Sequence, residues 1–292
     1  MLDYKPIINE IIYNGYTLGV LRLDLLHPEI SGNKWFKLKY NLQQATLENK
    51  DTIITFGGAF SNHIAATAFA CKQAGFKCIG IIRGEETSLL NTTLSKAIEW
   101  GMELQFVTRE EYSKKNEFTF LNDLQQKYPT AYIIPEGGDN DLGQKGCEEI
   151  LTSETQSFST LFCTVGTGTT FNGISKALAS NQKLVGINVL KYIATTSDEN
   201  CSIVNDYHFG GYAKHTLELL EFKLWFEKEY HISLDYVYTA KLFYAVFDMI
   251  KRNKMSIDKN ILIIHSGGLQ GNVGYEKRYN LNPTRQVNDI QG

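Results

Sequence analysis

The stretch TIITFGGAFSNHIAATAFACKQAGFKCIGII, residues 52–82, decides the fold of this chain. It contains an apolar run at 52–56, a helical pattern at 61–74 and a second apolar run at 77–82. Two short apolar runs joined by a helical segment are typical of a β-α-β unit, whose two strands lie parallel in one sheet. The glycine pair after the first run predicts a loop at the carboxyl end of its strand, where open α/β sheets bind their ligands.

Short apolar runs and helical patterns alternate along the rest of the chain as well. Near its start, Asn14-Gly15 between two apolar runs predicts a hairpin with a type I′ turn. Such alternation indicates an α/β fold with a mostly parallel sheet covered by helices on both faces. Further strands are predicted at 103–107, 131–134, 160–165, 183–189 and 261–265, and helices at 35–49, 89–100, 110–127, 141–152, 171–180, 216–230 and 239–253.

The composition is that of an ordinary folded chain. Its 292 residues can bury a large core without disulfides, and 43% hydrophobic with 21% charged residues exclude disorder, collagen and coiled coil. A net charge of −3, without any block of five Lys or Arg, argues against a nucleic-acid partner. The sequence shows neither an uninterrupted membrane-spanning segment nor the apolar core of a signal peptide, so no membrane partner is expected.

The cysteines and histidines predict the compartment and the absence of a metal. The five cysteines are an odd number without a C-x-x-C pair, which indicates free thiols in a reducing compartment. The expected location is therefore the cytoplasm. The histidines lack the spacing of metal ligands, so no metal site is expected.

Four glycine clusters directly follow predicted strands. Glycine lets a backbone approach a ligand closely, and the carboxyl ends of parallel strands meet at one edge of a sheet. One cluster alone is usually only a turn, whereas four at corresponding positions predict a shared crevice. The clusters are Gly57-Gly58, Gly137-Gly138, Gly166-Thr167-Gly168 and Gly267-Gly268.

The segment TVGTGTTFNG, residues 164–173, leads from an apolar strand into a helix. Backbone N–H groups at a helix start bind anions, and the hydroxyls of Thr167, Thr169 and Thr170 add donors, so the loop suits a phosphate monoester. It is neither a Walker A loop nor a G-x-G-x-x-G dinucleotide loop. A structural turn with a threonine cap is the alternative interpretation.

Lys34, in the segment SGNK at 31–34, stands where a turn meets the start of a helix. The positive end of the helix dipole disfavours an ammonium there. A lysine that is neutral part of the time can form a Schiff base with a carbonyl cofactor. A solvated lysine is the alternative, and we prefer that interpretation for Lys37 and Lys39.

Ser61-Asn62-His63 begins the helix after the first glycine pair. Ser61 is well explained as a helix N-cap, and a helix start with a reactive hydroxyl is also suited to a substrate carboxylate. Two tyrosines, Tyr212 in FGGYAK and Tyr238 in VYTAK, occupy predicted loops. Tyrosine is often amphipathic core, so these two mean little by themselves.

These motifs occur in an order that resembles the 1-aminocyclopropane-1-carboxylate deaminase / D-cysteine desulfhydrase family, from about residue 17 to 270. The resemblance implies pyridoxal 5′-phosphate as cofactor and a tryptophan-synthase-β-like fold (PLP fold type II), with two open, mostly parallel sheets flanked by helices. It also implies a cofactor-binding domain of residues 1–36 and 142–292 and a smaller inserted α/β domain of residues 37–141. The matching segments are SGNKWFKLKYNL, TFGGAFSNHIAATA, PEGG, TVGTGTTFNGI, FGGYAK, VYTAK and IIHSGG.

The resemblance implies which residues bind the cofactor. Lys34 matches the lysine that forms the internal aldimine, and Asn62 matches the asparagine beside the phenolic oxygen. The phosphate-binding loop corresponds to Gly166, Thr167, Gly168, Thr169 and Thr170. Thr239 occupies the position near the pyridine nitrogen.

The resemblance also implies which residues meet the substrate. Ser61 matches the active-site serine, and Tyr238 and Tyr212 match active-site tyrosines. Asn62 and His63 are expected beside Ser61 in the substrate site. The comparison with the family pattern implies two departures: Phe36, where many members have Arg, and an expected short N-terminus without a preceding segment of the usual cofactor domain.

The implied activity converts a small amino acid to a 2-oxo acid and ammonia. Ring-opening deaminases of the family have Glu at the position of Thr239 and typically Gln at that of His63. We therefore expect D-cysteine desulfhydrase-like β-elimination, which yields hydrogen sulfide, pyruvate and ammonia. The alternatives are a 1-aminocyclopropane-1-carboxylate deaminase that yields 2-oxobutyrate, a catalytically silent cofactor-binding protein, and a Rossmann-type nucleotide-binding protein. A homodimer is expected, since two-fold homo-oligomers are common.

Overall fold

The computed structural model describes residues 4–30, 32–85, 90–196, 198–252 and 260–281. Ser31 of the SGNK segment, residue 89 at the predicted start of one helix and residue 253 at the predicted end of another therefore lie outside the described residues. The strands are β1 (Ile8–Tyr13), β2 (Tyr16–Arg22), β3 (Thr52–Gly58), β4 (Lys77–Arg83), β5 (Met102–Val107), β6 (Ala131–Ile134), β7 (Thr160–Val165), β8 (Lys183–Asn188), β9 (Cys201–Val204) and β10 (Ile261–His265). The α-helices are α1 (Asn33–Leu47), α2 (Asn62–Ala74), α3 (Thr92–Glu99), α4 (Arg109–Ser113), α5 (Phe118–Lys127), α6 (Asp141–Glu148), α7 (Thr169–Lys176), α8 (Leu217–Tyr230), α9 (Thr239–Lys251) and α10 (Asn272–Tyr279).

The strands form two separate sheets. The larger has six strands in the order β1-β2-β10-β7-β8-β9, and the smaller has four in the order β5-β4-β3-β6. Every neighbouring pair is parallel except β1 and β2, which form an antiparallel hairpin. This arrangement confirms the predicted α/β fold with two open, mostly parallel sheets.

Most of the predicted elements are present. The exceptions are one predicted helix that is divided in two, and one strand and one helix that were not predicted. Asn14 and Gly15 have φ angles of 52° and 79°, as a type I′ turn requires, and they join β1 to β2. The prediction of one helix at 110–127 is wrong, because α4 ends at Ser113 and α5 begins at Phe118. The sequence does not predict β9 or α10: none of the four β9 residues is fully buried, and α10 buries only two residues.

Helices cover both faces of the smaller sheet, and alternate strand residues face opposite sides. Ile53 lies in a buried cluster with Leu38 of α1 and Ala66 of α2, whereas Ile54 packs with Leu124 of α5. Each such side chain contributes about 1.5–3 kcal/mol when it leaves water. Because neither face of β3 meets solvent, its sequence TIITFGG contains no charged residue and does not alternate between apolar and charged positions.

Helices also cover both faces of the larger sheet. One face packs against α8 and α9, and the other packs against α6, α7 and the start of α1. Phe36 is buried on this second face, edge-on to the Tyr4 ring with centroids 4.9 Å apart. The side chain that replaces the family's arginine is thus part of the core. Among the described residues no helix is both long and apolar enough to cross a membrane.

The smaller sheet consists of one continuous part of the chain, from Thr52 to Ile134. The larger sheet combines strands from before and after that part. We therefore propose, on this sheet order, the domain division expected from the sequence, with residues 37–141 inserted between 1–36 and 142–292.

Candidate active site

A cavity of about 530 Å³ opens where the carboxyl ends of parallel strands from both sheets meet. Residues that follow β3, β4 and β6 of the smaller sheet form one side, and residues that follow β7, β8 and β10 of the larger sheet form the other. The four predicted glycine clusters all contribute to its wall. The predicted site residues that line the cavity are Lys34, Ser61, Asn62, His63, Gly166, Thr167, Gly168, Thr170, Tyr212 and Tyr238.

Two of the predicted site residues, Thr169 and Thr239, are not among those that line the cavity. The buried Thr169 hydroxyl donates to Asp139 Oδ1 at 2.7 Å. The buried Thr239 hydroxyl donates to Asp235 Oδ1 at 2.8 Å and accepts from the Asp235 N–H at 2.7 Å. Each hydroxyl therefore gives its one hydrogen to a carboxylate, which the sequence does not reveal.

The start of α1 is fixed against the loop after β10, and this places Lys34 in the cavity. Gly32 has a φ of 71°, and a Cβ built there would overlap the carbonyl oxygen of Ser266. The Asn33 N–H donates to that same carbonyl at 3.1 Å. Lys34 Nζ donates to Asn33 Oδ1 at 2.8 Å, and Asn33 Nδ2 donates to Thr170 Oγ1 at 2.8 Å. These two hydrogen bonds connect the lysine to the glycine-threonine loop.

Burial first and the neighbouring charge of Lys37 second lower the pKa of Lys34 to about 7. Asp235 and Cys147 oppose this shift without cancelling it. A lysine with such a pKa is partly neutral at physiological pH, which suits a nucleophile or a proton acceptor. The buried environment of Lys34 therefore favours the neutral amine, as the argument from the helix dipole predicts.

The prediction that Lys37 and Lys39 are solvated is wrong, because they are only 5% and 8% exposed. Lys39 forms an ion pair with Glu149, whereas Lys37 lines the cavity one helical turn after Lys34. Burial lowers the pKa of Lys37 as well. The signal that could have found Lys37 is its i, i+3 spacing from Lys34, which puts both on one face of α1.

Helix α2 begins at the edge of the cavity, with Ser61 as its N-cap. The Ser61 hydroxyl accepts from the Ile64 N–H at 3.3 Å, which confirms the capping interpretation, and the same residue lines the cavity. Asn62 Nδ2 donates to the Gly268 carbonyl at 3.3 Å, while its buried Oδ1 has no partner among the described residues. A buried polar atom without a partner indicates a place for a donor outside the described residues, such as a ligand.

His63 is buried next to Lys34 and Lys37, and its tautomer follows from its hydrogen bonds. Thr55 Oγ1 donates to the Ile134 carbonyl, so His63 Nε2, 2.8 Å away, must donate to Thr55 Oγ1. His63 Nδ1 then carries a lone pair, and it has no partner in the described part of the chain. Burial and the two lysines lower the pKa of His63 to about 3, so the ring stays neutral.

Tyr212 and Tyr238 meet edge to face at the cavity, with ring centroids 6.3 Å apart. Burial, above all, raises the pKa of both phenols, so each keeps its proton at neutral pH and can donate it in a hydrogen bond. The sequence analysis missed three charged residues that also line the cavity: Arg83, Glu136 and Arg278. Arg83 ends β4, and this position was the available signal, whereas Arg278 lies on the unpredicted α10.

The start of α7 is open to an anion. Gly168 occupies the cap position with a φ of 96° and supplies no capping side chain. A Cβ built there would meet only Asn172 Nδ2, at 3.6 Å. Free N–H groups at a helix start attract a phosphate, and the Lys34 and Lys37 side chains add positive charge nearby. Among the residues that the structure describes, no group of three or more His, Cys, Asp or Glu side chains could hold a metal.

Comparisons with known proteins agree with this geometry. The profile of a family described as "Pyridoxal-phosphate dependent enzyme" matches residues 17–267. A Thermotoga maritima protein described as a putative 1-aminocyclopropane-1-carboxylate deaminase is 32% identical over 293 residues, which cover 90% of this chain and 92% of that protein. The bifunctional D-cysteine desulfhydrase/1-aminocyclopropane-1-carboxylate deaminase of Arabidopsis thaliana is 30% identical over 296 residues, which cover 88% and 74%. A solved structure of an ACC deaminase homologue has a TM-score of 0.81 and 26% identity, with 96% of this chain and 95% of that chain covered.

Proposed function

Since this chain belongs to the family of pyridoxal-phosphate-dependent enzymes, we propose that it is a lyase or deaminase that converts a small amino acid to a 2-oxo acid and ammonia. One observation carries the proposal. A single cavity brings together a lysine with a lowered pKa, the uncapped start of α7, the Ser61-capped start of α2 and two protonated tyrosines. This is the set of groups that such a cofactor and an amino-acid substrate require.

The cavity fits the cofactor by three features described above: the uncapped start of α7, the two lysines beside it and the unpartnered Asn62 Oδ1. We propose that residues 166–170 and Lys37 hold the phosphate, that Lys34 binds the carbonyl carbon covalently, and that Asn62 contacts the phenolic oxygen. When bound, the cofactor supplies an electrophilic carbonyl for the substrate amine and an electron sink for negative charge at the α-carbon.

The remaining chemistry belongs to the side chains of this chain. The start of α2, with its N–H groups and the Ser61 hydroxyl, is placed to bind the substrate carboxylate. Lys34 Nζ would accept the α-proton, because its pKa lies near neutrality. The Tyr238 hydroxyl stays protonated and can steer that proton or the leaving group. His63 remains neutral, so it acts as a hydrogen-bond acceptor rather than as an acid.

We further propose D-cysteine as the type of substrate. Cysteine and water then give hydrogen sulfide, pyruvate and ammonia: the Cα–H bond breaks toward Lys34, and the Cβ–S bond breaks as thiolate leaves. This reaction starts with a proton that a lysine can remove, and thiolate is a good leaving group. Thr239 offers a neutral hydroxyl at the position where the resemblance places a carboxylate in ring-opening deaminases, and this supports elimination over ring opening. The Arabidopsis relative is named for both activities.

The second candidate is 1-aminocyclopropane-1-carboxylate deaminase, and Asp235 is the observation that favours it. Asp235 is 1% exposed, and its carboxylate accepts a hydrogen bond from the Thr239 hydroxyl. A hydroxyl that donates to a carboxylate can only accept from its other neighbour. A Thr239 hydroxyl that only accepts would favour the protonated form of the cofactor's pyridine nitrogen, much as a carboxylate at this position would.

The experiment compares the two substrates on one preparation of the holoenzyme. Sulfide and pyruvate release from D-cysteine is measured beside 2-oxobutyrate release from the cyclopropane acid, with Lys34→Ala as the control for catalysis by free cofactor. We expect kcat/KM to be higher for D-cysteine. A higher value for the cyclopropane acid contradicts the choice of substrate, and no turnover of any amino acid contradicts the proposed activity.

A further inference from the structure

Lys241, in the first turn of α9, is a completely buried lysine that the proposed chemistry does not use. Its ammonium donates hydrogen bonds to three backbone carbonyls and forms no ion pair among the described residues. The Nζ–O distances are 2.7 Å to Gly211, 2.9 Å to His208 and 3.5 Å to Val189. A buried lysine without a carboxylate partner is rare in proteins.

The position of Lys241 is unfavourable in itself. The start of a helix repels a cation, and burial removes the ammonium from water. Burial lowers the pKa of Lys241 to about 8, and Asp235 opposes this shift. The three carbonyl oxygens, together with the nearby charge of Asp235, therefore stabilise the ammonium, and the ammonium in turn holds the carbonyls in place.

Two of the three carbonyls, those of His208 and Gly211, belong to a segment with an unusual backbone. Phe209, Gly210, Gly211 and Ala213 all have positive φ angles, between 50° and 102°. Such a run is strained for residues with side chains and needs surrounding contacts to persist. Tyr212 lies within this segment, between Gly211 and Ala213. Its side chain lines the cavity and its ring contacts the Tyr238 ring.

We propose that Lys241 is a positioning residue for Tyr212: its ammonium binds the carbonyls of Val189, His208 and Gly211 and thereby fixes the loop that presents Tyr212 to the cavity. The bond to Val189 ties this loop to the end of β8 in the larger sheet. The inference rests on the proposed function only in that Tyr212 takes part in turnover. The position of the loop itself does not depend on the identity of the substrate.

The first test measures the loop without measuring activity. Lys214 is exposed at the end of this loop, so trypsin cuts after it when the loop opens. We expect Lys241→Met holoenzyme to be cut there at least about tenfold faster than wild type, as identified by peptide mass. Lys223→Met is the matched control, because it removes another buried ammonium, one that pairs with Glu227 instead of backbone carbonyls. Equal cleavage rates in Lys241→Met and wild type contradict the proposal.

The second test asks whether Lys241 acts through Tyr212. A displacement of a reacting group by about 1 Å can reduce a rate by about 10²-fold, so kcat should fall in Lys241→Met while cofactor absorbance is retained. Removal of Lys241 should cost little further activity in a Tyr212→Phe background. If Lys241→Met lowers kcat by the same factor in the wild-type and Tyr212→Phe backgrounds, the lysine does not act through Tyr212 and the proposal is contradicted.

The third test restores the cation. In Lys241→Ala the three carbonyls surround an open space, and carbonyl oxygens can replace the water around a small cation. Ammonium or methylammonium should restore slow cleavage after Lys214 and part of kcat, with no effect on wild type. Failure of both cations to do so contradicts the proposal.

If Lys241→Met does not fold, Lys241→Arg keeps the charge but carries a larger, planar group, and it should show faster cleavage than wild type. Cleavage at the wild-type rate in Lys241→Arg would then contradict the proposal.

Discussion

Replacement of Gly168 by alanine should weaken cofactor binding far more than it weakens the fold. Its φ of 96° suits glycine, so alanine costs about 1–2 kcal/mol of strain, a modest part of the roughly 5–15 kcal/mol that stabilises a folded domain. The new methyl group would meet only Asn172 Nδ2, at 3.6 Å, and would otherwise occupy open space beside the start of α7. That space is where we place the phosphate.

The expected loss of affinity follows from the hydrogen bonds at risk. Each charge-assisted bond from a backbone N–H to a phosphate oxygen contributes about 1.5–3 kcal/mol. Displacement of the phosphate from two of them costs about 3–6 kcal/mol, which corresponds to roughly 10²- to 10⁴-fold weaker binding. The assay is titration of the cofactor-free protein with pyridoxal 5′-phosphate, followed by absorbance, together with denaturant unfolding of the same samples.

Gly101→Ala is the matched control for this prediction. Gly101 has a φ of 91° with nothing within 4 Å of a built Cβ, and it does not line the cavity. It should therefore suffer the same backbone strain and keep the wild-type cofactor affinity. If Gly168→Ala binds the cofactor as tightly as Gly101→Ala does, the phosphate is held elsewhere and the reasoning is refuted.

Two further predictions concern Lys34. Borohydride reduction of the holoenzyme should leave the pyridoxyl mass on the peptide that contains Lys34, and a label on Lys37 or Lys241 would contradict the assignment. In the cofactor-free protein, burial lowers the pKa of Lys34 from 10.5 to about 7, so between these values the unfolded chain binds more protons than the folded one. The free energy of unfolding should therefore rise with pH across this window by up to about 1.4 kcal/mol per pH unit relative to Lys34→Met. Parallel pH profiles of the two proteins in denaturant unfolding would exclude a lowered pKa.

The sheets could be predicted from the sequence because their strands are buried on both faces. Runs such as residues 52–56 and 261–265 are mostly apolar and contain no Asp, Glu, Lys or Arg, and the glycines that follow them mark the carboxyl edge of the sheet. The shared cavity was predicted from the same glycines. Periodicity failed for β9, which is short, and for 110–127, where a polar stretch separates α4 from α5.

Partners distant in sequence explain what the sequence did not reveal at the site. The Thr169 hydroxyl donates to Asp139, and the acceptors of Lys241 lie 30 or more positions before it. Neither spacing nor residue type indicates such pairs. Lys37 resembles any surface lysine until the packing of α1 against the larger sheet buries it. The roles of the cavity residues therefore remain predictions to be tested by the experiments above.

β10 is an interior strand of the larger sheet, yet it comes late in the chain, so we expect the cofactor site to form late in synthesis. β10 lies between β2 and β7, although it follows every other strand in the described part of the chain. The four-stranded sheet is complete once Ile134 has left the ribosome, whereas β2 and β7 keep unpaired edges until His265 emerges. Only then does the Ser266 carbonyl reach Gly32 and Asn33 and fix the start of α1. We therefore expect cofactor capture only after translation has passed β10, and we expect nascent chains that stop earlier to expose two strand edges prone to aggregation.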